Sequence, residues 1–588
     1  MMRRIQGLFA SLALVCTLLL SGCAAPWPFP QPTPGPKLPD SQQVFRPLEI
    51  GSYAGDIQTL DPALIISAVD YQIAQLIFPQ LVALDERQRP VDWAAERHEV
   101  SSDGLTYTFH LRKGIVWSDG TLVDATTFAY SINRALDPCT GSQTANYLYV
   151  IKGAEALNQS RCPQDAIKSA TTLIGASLLI PDPLTLTIVL QQPSAYFLSA
   201  LTSPLSWAVP QTLVERYTQP QITPRVDYPV DISTWTEHLG DSGGFGGNLF
   251  KLTKWDHAGH LEFAVNASFW GQKPILQMIE YTLYPDSDTA WKAYKAGEGD
   301  VGFPLAQEFD SARTLPGSVF QQAPLLSFNY LTLNWRRAPY DDVRVRNAFS
   351  LALDRQAIAH DVFKDAAQPT IHLVPEGMPD YNPDLADAAG RRGKDALTPD
   401  LATARSLANA YAAEKFDGHL SKCPPVVFTI HPNRPNTALV IQAMQRQWQT
   451  AFPGWPITLA SIEEWLAPRG LLKNVQFRND AWGVDYPDPQ DFLSLLWTTT
   501  NAPNAYNQSG VSIPEVDRLC DQADTMMDQT TRIALYHRAE QLLVDQGAAL
   551  PVEQSLRRYV VRLHVADWGI APMYLTPLPV WQVTYLRR

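Results

Sequence analysis

Concentrated positive charge is missing from this 588-residue sequence: its lysines and arginines come singly or in short pairs such as Arg336-Arg337 and Arg391-Arg392, and the net charge is −13. That argues against a nucleic-acid partner, which needs a basic face. After the apolar run at Leu8 to Leu20 no comparable run follows, so no further membrane-spanning segment is expected. The body shows no repeat period. Histidines and carboxylates form no cluster of metal-site type; His257 and His260 share a spacing seen in some metal sites but lie in a turn without added ligands, so neither metal nor cofactor is expected. Cysteines are few, six in all.

The N-terminus carries two arginines, then the apolar stretch, then Leu20-Ser21-Gly22-Cys23. That order is an export signal, and its end resembles the bacterial lipoprotein box, in which the cysteine is lipidated and becomes the mature terminus. Two acyl chains make a stable anchor where one does not. Residues 24 to 40, AAPWPFPQPTPGPKLPD, are proline-rich, cannot build a core, and favour an extended tether at roughly 3.1 Å per residue. Setting aside Cys16 and Cys23 leaves Cys139, Cys162, Cys423 and Cys520, an even number in an exported chain. Cys139 and Cys162 flank a polar loop and could close it, in which case the other two pair by elimination. Three connectivities, and free thiols, stay open.

A chain this long implies two or three lobes. Thr106 to Arg112 alternates Tyr107, Phe109 and Leu111 with polar residues, as a half-buried strand does. Thr185 to Leu190 is a second strand, and Phe250 to Trp255 with His260 to Val265 form a hairpin. Asp341 or Asp342 caps a helix with Val345, Ala348, Phe349 and Ala352 on one stripe. Further helices are expected at 401–414, at 436–450 and around Ile533, Tyr536 and Leu543, with a strand at 457–460. Mixed strands and helices indicate α/β layers.

Gly240-Asp241-Ser242-Gly243-Gly244 spells the run around the nucleophile of trypsin-like proteases. A catalytic serine needs a base, a group to orient that base, and oxyanion donors. More than half the chain follows Ser242, and neither His98 nor His110 lies in the context of such a protease. A secreted serine hydrolase is therefore only a remote alternative.

Three stretches together resemble the family-5 extracellular solute-binding proteins, the peptide-binding components of ABC importers: Asp103 to Pro138, Tyr340 to Arg355 (YDDVRVRNAFSLALDR), and Trp482 to Phe492 (WGVDYPDPQDF). Leu60-Asp61-Pro62 near the mature start fits as well, and the likeness runs from about Leu48 to Arg588. It also explains GGFGGNLFKLTKW, which becomes a glycine turn feeding the hairpin.

The resemblance implies a periplasmic-binding-protein-like type II fold: two lobes, an extra subdomain, and a ligand cleft between the lobes. The expected division is 1–23 signal, 24–45 tether, 46–322 first lobe with the subdomain at about 80–205, 323–552 second lobe, and 553–588 returning to the first. It implies a monomeric, non-enzymatic receptor, lipid-anchored on the periplasmic side or the cell surface, that gives peptides to ABC permease subunits. Carried over by position, Ile66, Ser67, Ala68, Ala481, Trp482 and Gly483 would lend main-chain hydrogen bonds. Asp485 would pair with the ligand's α-amino group, Trp482 would also wall a side-chain pocket, and Tyr330 would stand at the cleft. By the sequence around them, Asp485 could instead shape a turn, and Trp482 and Tyr330 could be core. Thr144 and Asn479 depart from the pattern, at positions where relatives can carry an aromatic residue and an arginine. Since family members also take nickel chelates, haem, opines or oligosaccharides, a non-peptide solute is the alternative cargo.

Overall fold

Local rules explain where the elements begin, and the computed structural model describes them over residues 36–163, 168–218, 234–430, 435–461, 476–501, 506–507, 509–569, 573 and 576–587. The strand Thr106–Leu111 buries Tyr107, Phe109 and Leu111, as its alternation requires. It lies inside a four-stranded antiparallel sheet between Ala95–Val100 and Thr185–Val189, with Leu178–Asp182 outermost. The helix Ala125–Leu136 lies against this sheet and starts at a capping box: Asp124 accepts from Thr127 N–H, while the Thr127 hydroxyl faces Asp124 N–H. Asp61 of the Leu-Asp-Pro motif is fully buried and takes a two-pronged bond from Arg134 of that helix, with Trp235 Nε1 donating to it at 2.9 Å. The motif therefore ties this lobe together.

The expected hairpin forms at Phe250–Trp255 and His260–Val265. Met278–Tyr284 extends it, and Val44–Phe45 and Leu48–Ile50 add to that strand in parallel. The glycines before it are sterically required: a Cβ on Gly246 would fall 2.5 Å from the Phe250 carbonyl oxygen, and one on Gly247 2.6 Å from the Trp117 ring. Phe245 stacks on the same Trp117.

In a third sheet the strand Ser318–Leu333 is flanked by Ala549–Arg562 and Phe477–Gly483, all antiparallel. The two long strands serve two cores. At one end Tyr559 and Val561 join the core built from the N-terminal half; at the other, Leu331, Leu333, Leu550 and Val552 join the core of residues 340–477. Their register breaks between Pro324 and Phe328. The second core rests on the YDDVRVRNAFSLALDR motif. Asp342 caps the helix Val343–Leu351, Arg346 lies 3.6 Å from the Trp335 ring centroid, and buried Arg355 donates to the Pro551 and Ser350 carbonyls. The other expected elements are Leu401–Lys415, Pro435–Ala451, Ile457–Ser461 and Gln529–Asp545.

One expectation is corrected and one open alternative is decided. The tether does not extend to residue 45: Lys37 bridges Arg587, Leu38 N–H donates to the Leu586 carbonyl, and Phe45 is buried against Trp568 and Trp581. An aromatic at position 45 gains more from that pocket than from water. Cys423 and Cys520 do not pair; both are free and buried, Cys423 in the core with Trp448 and Trp455, Cys520 in a separate one with Leu519 and Tyr536. Even number alone could not reveal that two cores hold them apart. Cys139 and Cys162 are joined. Cys23 and the signal lie outside the described residues, within which no helix is long and apolar enough to cross a membrane.

Candidate ligand site

The strand Phe477–Gly483 is an edge. Ser327, Phe328 and Asn329 pair with Gly483, Trp482 and Ala481 on one side, and in the sheet order no described strand lies on the other. Ala481 and Gly483 are exposed. An exposed strand edge is a row of backbone donors and acceptors ready for a further strand. Immediately beyond it the chain turns through Val-Asp-Tyr-Pro-Asp-Pro, and the turn aims side chains back at the N-terminal half of the molecule.

Tyr486 reaches farthest. It is buried in the N-terminal core, 5.6 Å from the Tyr147 ring and 6.2 Å from Tyr196. Asp485 lies beside it, within hydrogen-bonding reach of the Tyr147 hydroxyl, and burial pushes its carboxyl up to about 6, against the lowering influence of Tyr147 and Asp491. Asp485 N–H donates to Asp491 Oδ2 at 2.9 Å. Asp491 is fully buried, and burial first, then the charge of Asp485, hold it well above the usual carboxylate range. Asp485 Oδ2, Asp491 Oδ1 and Trp482 Nε1 are buried without a hydrogen bond of good geometry among the described residues, with Trp482 at longer reach of Asp491. Tyr506 packs edge-on against Trp482 at 5.3 Å and accepts from Asn146 Nδ2 at 3.3 Å. The wall thus combines two carboxyls, unpaired polar atoms and aromatic rings contributed by both halves.

The other named positions fall differently. Ser67 Oγ caps the helix Ala68–Ala74 and its carbonyl is taken by Tyr71 N–H, so that carbonyl is committed to the helix; Ile66 before it is 49 % exposed. Tyr71 of that helix packs against the cores of both halves. Tyr330 is 6 % exposed and stacks on Phe328 inside the core, so its bulk is structural. Thr144 precedes the short helix Ala145–Leu148 that carries Tyr147. Sequence reasoning passed over Tyr147, Tyr196 and Asp491; the first sits in Ala-Asn-Tyr-Leu-Tyr, an aromatic-rich stretch near Thr144, and the last within the quoted WGVDYPDPQDF. Ser242 lies exposed on the glycine turn with φ 54°. His238 beside it is engaged by Asp241 and stacked on Tyr217. His257 pairs with Asp56 and Glu237, and no group of three His, Cys, Asp or Glu suited to a metal occurs among the described residues. A separate cavity of about 250 Å³ in the N-terminal half, lined by Tyr130, Arg134, Asp137 and Lys168, shares no residue with this wall.

Two lobes crossed by a pair of strands, with an aromatic and acidic cleft between them, define a solute-binding protein. Residues 89–504 match the family described as bacterial extracellular solute-binding proteins, family 5. The chain belongs to that family. It is 28 % identical over 499 residues to the dipeptide-binding protein DppE of Bacillus subtilis, covering 84 % of each chain. It is also 28 % identical to the oligopeptide-binding protein OppA of the same organism, covering 84 % of this chain and 85 % of that one. The solved unliganded open form of the murein tripeptide-binding protein MppA superposes with a TM-score of 0.75 at 23 % identity, covering 94 % of this chain and 99 % of its own.

Proposed function

We propose that the protein is the peptide-receiving component of an ABC importer, held outside the membrane by a lipidated Cys23 and handing its cargo to permease subunits. The observation that carries this reading is an exposed strand edge, Ala481 to Gly483, ending at the carboxyl of Asp485, whose Oδ2 is buried and has no cation beside it among the described residues. An extended peptide laid along the edge gains main-chain hydrogen bonds whatever its side chains, and its terminal ammonium meets Asp485. The dipeptide- and oligopeptide-binding relatives support the same class of cargo. Residues 46–322 with 553–588 would form one lobe and 323–552 the other, hinged where the paired long strands lose register. Closure is favoured because a ligand touching both lobes binds the closed state more strongly. Ser242 has no chemical part in this cycle.

Asp485→Asn should weaken a free-amine tripeptide by about 3–5 kcal/mol, or roughly a hundred- to several thousandfold, because it leaves an enclosed ammonium unpaired. The N-acetylated tripeptide, lacking that charge, should bind both forms alike. Calorimetric titration decides it, and equal loss for both peptides would refute the role of Asp485. Native mass spectrometry of the purified protein identifies co-purified cargo and separates peptides from a non-peptide solute.

A further inference from the structure

We propose that Asp485 and Asp491 act as one acid–anion pair, in which a single proton on Asp491 bridges to Asp485 and leaves one negative charge for a monocationic ligand end. This rests on the reading of the cleft as an amine receptor and assigns the positioning group behind it. Asp491 Oδ2 accepts from Asp485 N–H at 2.9 Å, while Asp491 Oδ1 and Asp485 Oδ2 are both buried and lack a partner among the described residues. Each carboxyl acts on the other as a hydrogen-bonding neighbour, with the Tyr147 hydroxyl at longer reach of Asp485 and the Trp482 N–H at longer reach of Asp491. One proton between them satisfies both orphan oxygens, whereas two enclosed anions in contact would repel. The groups facing the pair are Tyr147 from the first lobe and Trp482 and Tyr486 from the second, with Tyr196 and Asp488 beyond Tyr486 and Tyr506 beyond Tyr147. Asp488 is matched by Arg532, and among the described residues no cation pairs with Asp485 or Asp491, so the ligand would supply it.

Two substitutions separate this from plain packing. Asp491→Asn keeps an oxygen for Asp485 N–H and puts an N–H where the proton would be, so trialanine should bind within about threefold of wild type at pH 7.5. Asp491→Leu removes the donor. The bond from Asp491 lowers the Asp485 pKa, so in the Leu variant acid weakening of trialanine should set in at higher pH. In wild type, affinity should fall up to tenfold per pH unit below about pH 6 as a second proton enters the pair, with a matching proton release seen by calorimetry in buffers of different ionisation enthalpy. Ligand-free infrared difference spectra between wild type and Asp491→Asn at pH 7.5 should show loss of a protonated-carboxyl band. Loss of an ionised-carboxylate band instead, or acid weakening in the Asn variant that sets in as high as in the Leu variant, would overturn the pair. A protein that keeps the protonated band yet binds no trialanine would overturn the amine-receptor reading while leaving the pair standing.

Discussion

Within seven residues the chain places three aspartates, Asp488 and Asp491 buried and Asp485 half-buried, in two opposite electrostatic situations. Asp488 caps the helix Pro489–Phe492 and is met at 2.5 Å by Arg532, itself 1 % exposed and also 3.8 Å from Asp380. Asp485 and Asp491, on either side of it, have oxygens with no described partner. Asp61 in the other lobe follows the first pattern, with Arg134 and Trp235 around it. A buried charge that exists for the fold brings its counter-ion with it; one left without a counter-ion lowers stability and must be explained by something that arrives later. On the proposed reading of Asp485, the contrast separates scaffold from receptor inside a single turn.

The sharpest way to break that contrast is to make Asp488 resemble its neighbours. Arg532→Met removes the cation but keeps the bulk, stranding Asp488 among buried groups, and should cost about 3–5 kcal/mol of folding stability. Denaturant unfolding of the ligand-free protein checks it. A loss below about 1 kcal/mol would mean that Asp488 does not depend on its ion pair.

A smaller effect follows from acids whose pKa burial raises. Asp70 and Asp485 are pushed up to about 6, and Asp524 and Glu553 to about 7, in each case mainly by burial. A carboxyl with a folded pKa above its unfolded value contributes stability that is complete below the unfolded pKa, near 4, and is lost as pH rises through the folded one. Asp342 runs the other way: Arg344 holds it far below the ordinary range, so its contribution stays constant from pH 5 to 8. The melting temperature of the ligand-free protein should therefore fall between pH 5 and 8. Asp524→Asn keeps an acceptor for the Tyr536 and Ser494 hydroxyls and should recover about 1–4 kcal/mol at pH 8 and less than half of that at pH 5. A melting profile flat in pH, or an Asn variant parallel to wild type, would contradict this.

How far such distinctions can be seen before folding depends on the range of the interaction. The hairpin at 250–265 and the helix begun by Asp342 were legible because alternation and capping are set within a few residues. The motif at 482–492 pointed to the cleft and contained Asp491. Its meaning was not legible, because the tyrosines that enclose it come from positions 147 and 196 and the arginine that matches Asp488 from position 532. Cys423 and Cys520 illustrate the same limit: parity is a local count, whereas partition into separate cores is a property of the whole chain. Ile66 to Ala68 were legible as a segment, but the helix that claims the Ser67 carbonyl was not anticipated.

The gentlest probe of the contrast is a carboxylate that is neither enclosed nor alone. Glu515 lies on the surface of the helix Pro514–Thr525, 2.7 Å from Arg518 and 2.9 Å from Arg538. Those pairs look richer than the ion pair of Asp488, yet both partners keep most of their hydration, hold long side chains in place at an entropic cost, and are screened by salt. Glu515→Gln should therefore leave the melting temperature and the affinity for a free-amine tripeptide unchanged within measurement error at 0.15 M salt. A clear loss of stability would show that burial is the wrong variable, and that the number of charged neighbours, which favours Glu515 over Asp488, governs what a carboxylate contributes to this fold.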